Sequence, residues 1–295
     1  MCAQPEQALA LGTEGEALIA SWRAQGWPIW LEGGVLGFAP GWAPLSHRHL
    51  AAALAPLGLG LFYRPAVDST QEEAKRLLAA GEAAPFLVVA EWQSAGRGRW
   101  GRRWLSPPLS ALLATLVAPI ARAPSALAGL APALGVALAE ALIAAGGGDI
   151  RVKWPNDLLK GGRKLGGVLV EVLPRGAQGV TLLVGFGLNV CPEAAQAAPV
   201  PAACWAEDDP CPDRTALLLR LVPALCAAIA EFGREGFLPF RVRFAGLDAL
   251  AGQSLSVHAA GGRIEGRALG LSEEGALLLA TASGQVAVST GEVQS

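Results

Sequence analysis

The chain has 295 residues, 52% of them hydrophobic and only 16% charged, with a formal net charge of −2. That is enough apolar material for a sizeable core, in one large domain with small satellites. A chain with no net positive charge is not a general nucleic-acid binder.

The N-terminus "MCAQPEQALA" has no basic segment followed by an apolar core, so no signal peptide is expected. "EALIASWRAQG" predicts a short helix stopped by Gly26, with Leu18, Ile19 and Trp22 on one face. "WPIWLEGGVLGFAP" predicts a β-hairpin turning at Gly33-Gly34. A helix followed by a hairpin is the back half of a winged helix-turn-helix.

From about Leu59 strands and helices alternate. "GLFYRPAVDS" reads as a strand. Thr70 is the expected N-cap of a helix over "QEEAKRLLAAG", with Glu72 and Glu73 in its first turn and Gly81 ending it. "PFLVVAEW" reads as a buried strand. "SALLATLVAPI" is another, followed by a long apolar helix over Pro124–Ala145. The apolar stretches Leu105–Ala121 and Ala123–Ala139 approach membrane length, but prolines break both, and buried strand and helix are expected instead. "DIRVKW", "KLGGVLVEVL" and "GVTLLVGFGLNV" predict three further strands, and residues 191–212 a loop. Asp213–Glu235 predicts a helix with a stripe of Leu217, Leu218, Leu221, Leu225, Ile229 and Phe232. After Leu247, "QSLSVHA", "GRIEGRALGLS", "GALLLAT" and "QVAVSTGEV" are short strands at tight spacing, the texture of a small β-barrel. Five cysteines without a C-x-x-C pair predict reduced structural thiols rather than a zinc site or disulfide framework.

Four motifs carry chemistry. "QSAGRGRWGRRW" (93–104) sets Arg97, Arg99, Arg102 and Arg103 among glycines. Glycine lets backbone approach closely, and guanidinium forks match phosphate or carboxylate oxygens. A solvated basic loop would look similar, and no Walker A pattern is present. "KWPNDLL" (153–159) ends a strand; Asn156 and Asp157 could simply hold a turn, but Lys153 on a strand otherwise of buried type points to a site. "RKLGGVLVE" (163–171) opens a strand with Lys164, and Gly166-Gly167 leave room on its surface. "VDSTQ" (67–71) puts small polar groups at a strand-to-helix junction, where capping and ligand contact can coexist.

In this order and spacing, and followed by "GFGLN" (185–189), these motifs resemble the bacterial biotin protein ligases (biotin–[acetyl-CoA-carboxylase] ligases). The resemblance covers residues 60–190 strongly and extends more weakly to "GRALGLSEEGALLLAT" and "GEV" near the C-terminus. It implies an α+β fold: a class II synthetase-like catalytic domain, a mixed sheet with helices, over residues 46–246. A C-terminal SH3-like β-barrel would occupy 247–295, and a degenerate winged-helix remnant 1–45. The implied activity is ATP-dependent biotinylation of a lysine on the biotin carboxyl carrier protein of acetyl-CoA carboxylase. The reaction passes through biotinyl-5′-AMP, with Mg2+ accompanying ATP, in the cytoplasm and away from membranes. Monomer and homodimer both occur in the family.

Carried over position by position, the resemblance implies that Ser69, Thr70 and Gln93 hold the ureido ring of biotin. Gln71 stands where the family commonly has Asn. Arg97, Gly98 and Arg99 would close over the carboxylate and phosphate, and Gly167, Leu169, Gly185 and Gly187 would line the valeryl channel. Lys164 would contact the carboxylate–phosphate junction, and Lys153 would stabilise charge at the α-phosphate. Arg97, Arg99, Lys153 and Lys164 are thus the expected catalytic set. Arg102 and Asn156 fall on the nucleotide side, Trp104 would stack on adenine and Asn189 would read it. Asp157 would either orient Lys153 or help hold Mg2+. No Ser/His/Asp or Cys/His set is present to supply a nucleophile; His47, His49 and His258 lie outside the motifs.

Some biotin ligases also bind DNA. Here residues 1–46 hold one basic side chain, Arg23, against Glu6, Glu14, Glu16 and Glu32. Phosphate neutralisation needs Lys and Arg, so no repressor function and no nucleic-acid partner are expected. A biotin-responsive regulator without catalysis would have lost Lys153 or the arginine loop. A lipoate or octanoyl transferase shares the fold class, but the arginine loop together with K-W-P-N-D points to biotin.

Overall fold

A seven-stranded mixed sheet carries the site, and its strand order explains how distant motifs meet. The computed structural model describes residues 20–21, 23–24, 29–32, 35–38, 43–175, 179–207, 213–259 and 261–294. The sheet comprises β3 (Gly60–Arg64), β4 (Phe86–Ala90), β5 (Ala111–Ile120), β6 (Ile150–Lys153), β7 (Asp157–Lys160), β8 (Arg163–Pro174) and β9 (Val180–Asn189), in the order β3-β4-β5-β9-β8-β7-β6. Only β3 and β4 run parallel; every other pairing is antiparallel.

Alternation along the strands gives the sheet two faces. On one, Leu87, Val89, Leu116, Leu182 and Val184 pack in the main core beneath α3 (Leu130–Ala144) and α5 (Arg214–Glu235). Helix α3 is buried nearly all round, and Gly135 lets it lie close on β6: a Cβ there would stand 3.1 Å from Val152 Cγ1. By length and hydropathy α5 could cross a membrane. Its predicted stripe is instead buried in the core, and Arg214 at its start is equally buried, so it is a core helix. On the other face, Phe86, Val88, Val117 and Leu183 pack against Ala74 of α2 (Thr70–Ala79). The site lies on this second face, beyond the N-terminus of α2.

Several expectations need correction. The N-cap of α2 is Ser69, whose Oγ accepts from Gln71 N, and Thr70 is already helical. The strand predicted over "GLFYRPAVDS" ends at Arg64, because Pro65 breaks it; only an isolated bridge, Val67 to Gln93, continues the pairing. The long helix expected from Pro124 begins at Leu130, after a separate short turn over Pro124–Ala126. Helices α1 (His47–Leu54) and α6 (Leu238–Leu247) were not anticipated, and the loop after β9 holds a short helix, α4 (Pro192–Gln196). Cys191 is disulfide-bonded, whereas Cys204 and Cys226 are free. Without a local C-x-x-C, spacing gave no sign of that pairing.

Strands β1 (Ile29–Glu32) and β2 (Val35–Phe38) pair antiparallel with Glu32 opposite Val35, the register of the expected hairpin. Gly33-Gly34 themselves lie outside the described residues. Of the predicted N-terminal helix, Ala20, Ser21, Arg23 and Ala24 are helical and the remainder lies outside them.

The C-terminal strands β10 (Ser254–Ala259), β11 (Gly262–Leu271), β12 (Leu277–Thr281), β13 (Gly284–Val288) and β14 (Glu292–Gln294) form an antiparallel sheet in the order β13-β12-β11-β10-β14. The segment "QVAVSTGEV", expected as one strand, is two strands, β13 and β14, at opposite edges of this sheet. Leu255, Val257, Leu277 and Val293 join the main core. The buried indole of Trp154 donates to Gly275 O at 3.1 Å, tying the K-W-P-N-D segment to this sheet.

Candidate active site

Every residue assigned above to binding or catalysis lines one cavity of about 470 Å³. Its floor follows from strand register. Asp157 of β7, Gly167 of β8 and Gly187 of β9 are successive neighbours across the sheet, and Leu169 faces Gly185 one step along. Glycine at these positions leaves space that other side chains fill. A Cβ on Gly187 would stand 2.7 Å from the Trp104 ring, and one on Gly185 would stand 2.1 Å from Gln71 Oε1.

At the inner end, three side chains form a relay. Thr115 Oγ1 donates to Thr70 Oγ1 at 2.9 Å, and Thr70 Oγ1 donates to Gln93 Oε1 at 3.0 Å; the Thr70 backbone N–H donates to the same oxygen at 2.8 Å. Gln93 is thereby oriented with its carbonyl engaged. Gln71 is 3% exposed and its Nε2 has no partner; the buried Nε1 of Trp104 is likewise unpaired. Buried donors normally find partners, so both are positioned for a polar ligand.

The K-W-P-N-D segment is a hairpin between β6 and β7, not an Asx turn. Its backbone closes through Asn156 N to Lys153 O at 3.2 Å. The Asn156 side chain instead spans to β8, with Nδ2 donating to Val168 O at 2.9 Å, while its Oδ1 accepts from Arg99 at 3.3 Å. Lys153 and Asp157 are cross-strand neighbours. The ion pair of Asp157, however, is with Lys164, Nζ to Oδ1 2.7 Å, and Lys164 Nζ also stands 5.9 Å from the Trp104 ring centre. Asp157 therefore orients Lys164, a role its position in sequence did not suggest.

The arginines occupy different settings. Arg97 pairs with Glu72 of α2 at 2.8 Å and is half exposed. Arg102 pairs with Glu292 of β14. Arg99 is the more buried, and desolvation pulls its pKa below the ordinary arginine value, opposed by the charge of Asp157. Asn189 is 3% exposed and donates to Ala203 O at 3.1 Å, which holds the 202–206 segment against β9.

The site does not fit a resident metal. Among the described residues no three of His, Cys, Asp and Glu cluster as ligands, and Asp157 is committed to Lys164. A hard divalent cation needs several oxygen ligands.

Residues 63–189 match the model of the biotin/lipoate A/B protein ligase family, and residues 252–294 the biotin protein ligase C-terminal domain. The chain is 33% identical to the bifunctional ligase/repressor BirA of Escherichia coli over 221 residues, 73% of this chain and 67% of that protein. It is 32% identical to the biotin–[acetyl-CoA-carboxylase] ligase of Paracoccus denitrificans over 233 residues, 77% of this chain and 96% of that one. The chain belongs to the biotin protein ligase family. It is accordingly a ligase. Among solved structures, the biotin protein ligase of Aquifex aeolicus in complex with biotin and ATP has a TM-score of 0.67 at 30% identity, covering 80% of this chain and 97% of that one.

Within the ligase cavity, some lining residues carried no signal in the sequence. Ala198, Pro199, Val200 and Ala202 form a wall from the loop after α4, and Glu292 and Val293 arrive from the C-terminal sheet. Glu292 and Val293 belong to the "GEV" stretch, whose approach to the cavity is an interdomain contact that leaves no local pattern.

Proposed function

We propose that the protein joins biotin to a lysine of a biotin carboxyl carrier protein, with ATP, in two steps. A biotin carboxylate oxygen attacks the α-phosphorus, and the bond to the pyrophosphate oxygen breaks. The neutral lysine amine then attacks the acyl carbon of biotinyl-5′-AMP, AMP leaves, and the amine gives up a proton. The observation that carries this reading is the convergence of Lys153, Lys164, Arg97 and Arg99 on one glycine-floored cavity with unpaired buried donors.

The first step brings an anion to a polyphosphate, so fixed cations lower its barrier. Lys164, oriented by Asp157, serves the carboxylate–phosphate junction; Lys153 serves the α-phosphate; Arg97 and Arg99 close over both. Ser69, Thr70, Gln71 and Gln93 hold the ureido ring, above the channel of Gly167, Leu169, Gly185 and Gly187. Trp104, Arg102, Asn156 and Asn189 serve the nucleotide. Mg2+ comes with ATP rather than on a protein-built site.

A degenerate winged helix before residue 46, most of it outside the described residues, would lack repressor function: its sequence holds a single arginine against four glutamates. Dependence on ATP supports a cytoplasmic setting. Mass spectrometry of a carrier domain incubated with the protein, ATP, Mg2+ and biotin should show one biotinyl adduct. Labelling by lipoate instead, or no label at all, would refute the reading.

A further inference from the structure

Trp100 stands at the tip of the arginine loop, 65% exposed, in a left-handed backbone conformation with φ 59 and ψ 31. The loop enforces this shape. Arg97 bridges antiparallel to Arg103, Gly98 N donates to Arg102 O at 2.8 Å, and Arg102 N donates to Arg99 O at 3.2 Å. Gly101 follows with φ 71. Two successive left-handed residues closed by an i to i+3 bond are a turn that favours Asn-Gly, and a bulky ring at its first central position is unfavourable. The turn thus does not explain the tryptophan. Its ring partner is its neighbour Arg99, with Cζ 5.7 Å from the ring centre. Strain and an exposed aromatic at one functional site point to a binding role.

Two other exposed apolar side chains line the same cavity: Leu105 at 39% and Val200 at 52%. Charge around this rim is unbalanced. Six arginine or lysine side chains line the cavity against two carboxylates, Asp157 and Glu292, and a third carboxylate, Glu72, pairs with Arg97. An acyl-adenylate carries a single phosphate charge, so the cavity keeps a net positive charge once pyrophosphate has left. A macromolecular amine donor must bring its lysine through this mouth.

We propose that Trp100 and Val200 form an apolar docking rim for the acceptor protein. The fitting partner surface has an apolar side chain beside its target lysine and acidic residues around it. The proposal rests on the ligase reading above and concerns only the second step. Trp100 presents its indole to the acceptor, and the cationic surplus attracts the acidic surround.

The test separates the two steps. Biotin-dependent exchange of pyrophosphate into ATP reports adenylate formation. Transfer to a biotin carboxyl carrier domain reports docking, and transfer to hydroxylamine reports reaction with an acceptor too small to touch the rim. Trp100→Asn suits the turn while removing the indole. It should raise the KM for the carrier domain about tenfold, as loss of an interfacial aromatic anchor does, and leave exchange and hydroxylamine transfer unchanged. Trp100→Phe should retain most carrier transfer, and Val200→Ser should weaken it in the same direction. Added salt should lower kcat/KM for the carrier domain more than the exchange rate. Unchanged carrier transfer in Trp100→Asn would overturn the proposal. So would a fall in exchange, or faster loss of adenylate, since the ring would then be covering the bound ligand. If the unaltered protein forms no adenylate at all, it is the ligase reading that fails.

Discussion

Glu91 and Arg214 form an ion pair of 2.7 Å in which both side chains are less than 5% exposed. Glu91 Oε1 also accepts from Leu45 N at 2.6 Å and from the Tyr63 hydroxyl at 2.9 Å. Arg214 donates to Ala111 O at 3.1 Å and Ala43 O at 3.0 Å. One network therefore joins the end of β4, the start of β5, the first turn of α5 and the chain preceding α1. It lies two residues before Gln93, where the arginine loop leaves the sheet. Burial and the charge of Glu91 push the Tyr63 phenol far above its usual value, so it stays a neutral donor.

Removing one partner would strand the other charge in the core. Arg214→Ala should lower stability by about 3–5 kcal/mol, read from urea unfolding. Arg214→Met with Glu91→Leu should recover only part of that loss, because Leu45 N and the Tyr63 hydroxyl would lose their acceptor. A cost within a few tenths of a kcal/mol for Arg214→Ala would show that water reaches the pair.

Lys164 is the second residue of β8, its side chain 31% exposed and held at 2.7 Å by Asp157. Its loss should therefore spare the fold and fall on the chemistry. Lys164→Ala should reduce adenylate formation by about 10²–10³, the usual effect of removing one preorganised charge-stabilising group, with little change in melting temperature. Asp157→Asn should give a smaller loss, since the lysine stays but its orientation loosens. Near-normal pyrophosphate release by Lys164→Ala would remove this lysine from the reaction.

Gly185 and Gln71 should behave as a coupled pair. A methyl at 185 would stand 2.1 Å from Gln71 Oε1, so the side chain must leave its place. Gly185→Ala should cost about 1–3 kcal/mol by overpacking and raise the KM for biotin. Adding Gln71→Ala should restore stability but not biotin affinity. Equal stability of the single and double variants would mean that the clash is relieved elsewhere.

What could be read from residues alone divides along physical lines. Strands β4 and β5 are continuous apolar runs, β9 is nearly so, β8 is one interrupted by Glu171, and α5 carries a clear stripe; these are local signals. The motif residues were legible because the chemistry needs specific side chains in a specific order. Helix α6 has no apolar periodicity, with Arg241 and Arg243 set among aromatics, and its pairing of Arg243 with Glu140 and Glu231 is tertiary. The same holds for the pairing of Arg102 with Glu292 and for the 198–202 wall: each depends on chain brought from far away. Ser69 and Thr70 are both good capping residues, so residue type alone does not choose between them; the structure caps α2 with Ser69.

The D-S-T turn supplies a pH-dependent prediction. Asp68 takes two hydrogen bonds from Arg76, at 2.7 and 2.9 Å, and a third from Ser69 N at 2.7 Å. Hydrogen bonding from Arg76, with lesser help from the Ser69 amide, pulls the Asp68 carboxyl down to about 2. A carboxylate whose folded value lies below its unfolded value, about 3.9, stabilises the fold fully above that value and loses the effect as pH falls toward the folded one. Both side chains are about half exposed, 45% and 53%, so solvent screening reduces the contribution to about 0.5 kcal/mol. Asp68→Asn should therefore be less stable than the unaltered protein by about that amount at neutral pH. The gap should narrow between about pH 4 and pH 2 and shrink in high salt. A gap that stays constant across that acid range would assign the loss to the turn geometry and not to the charge.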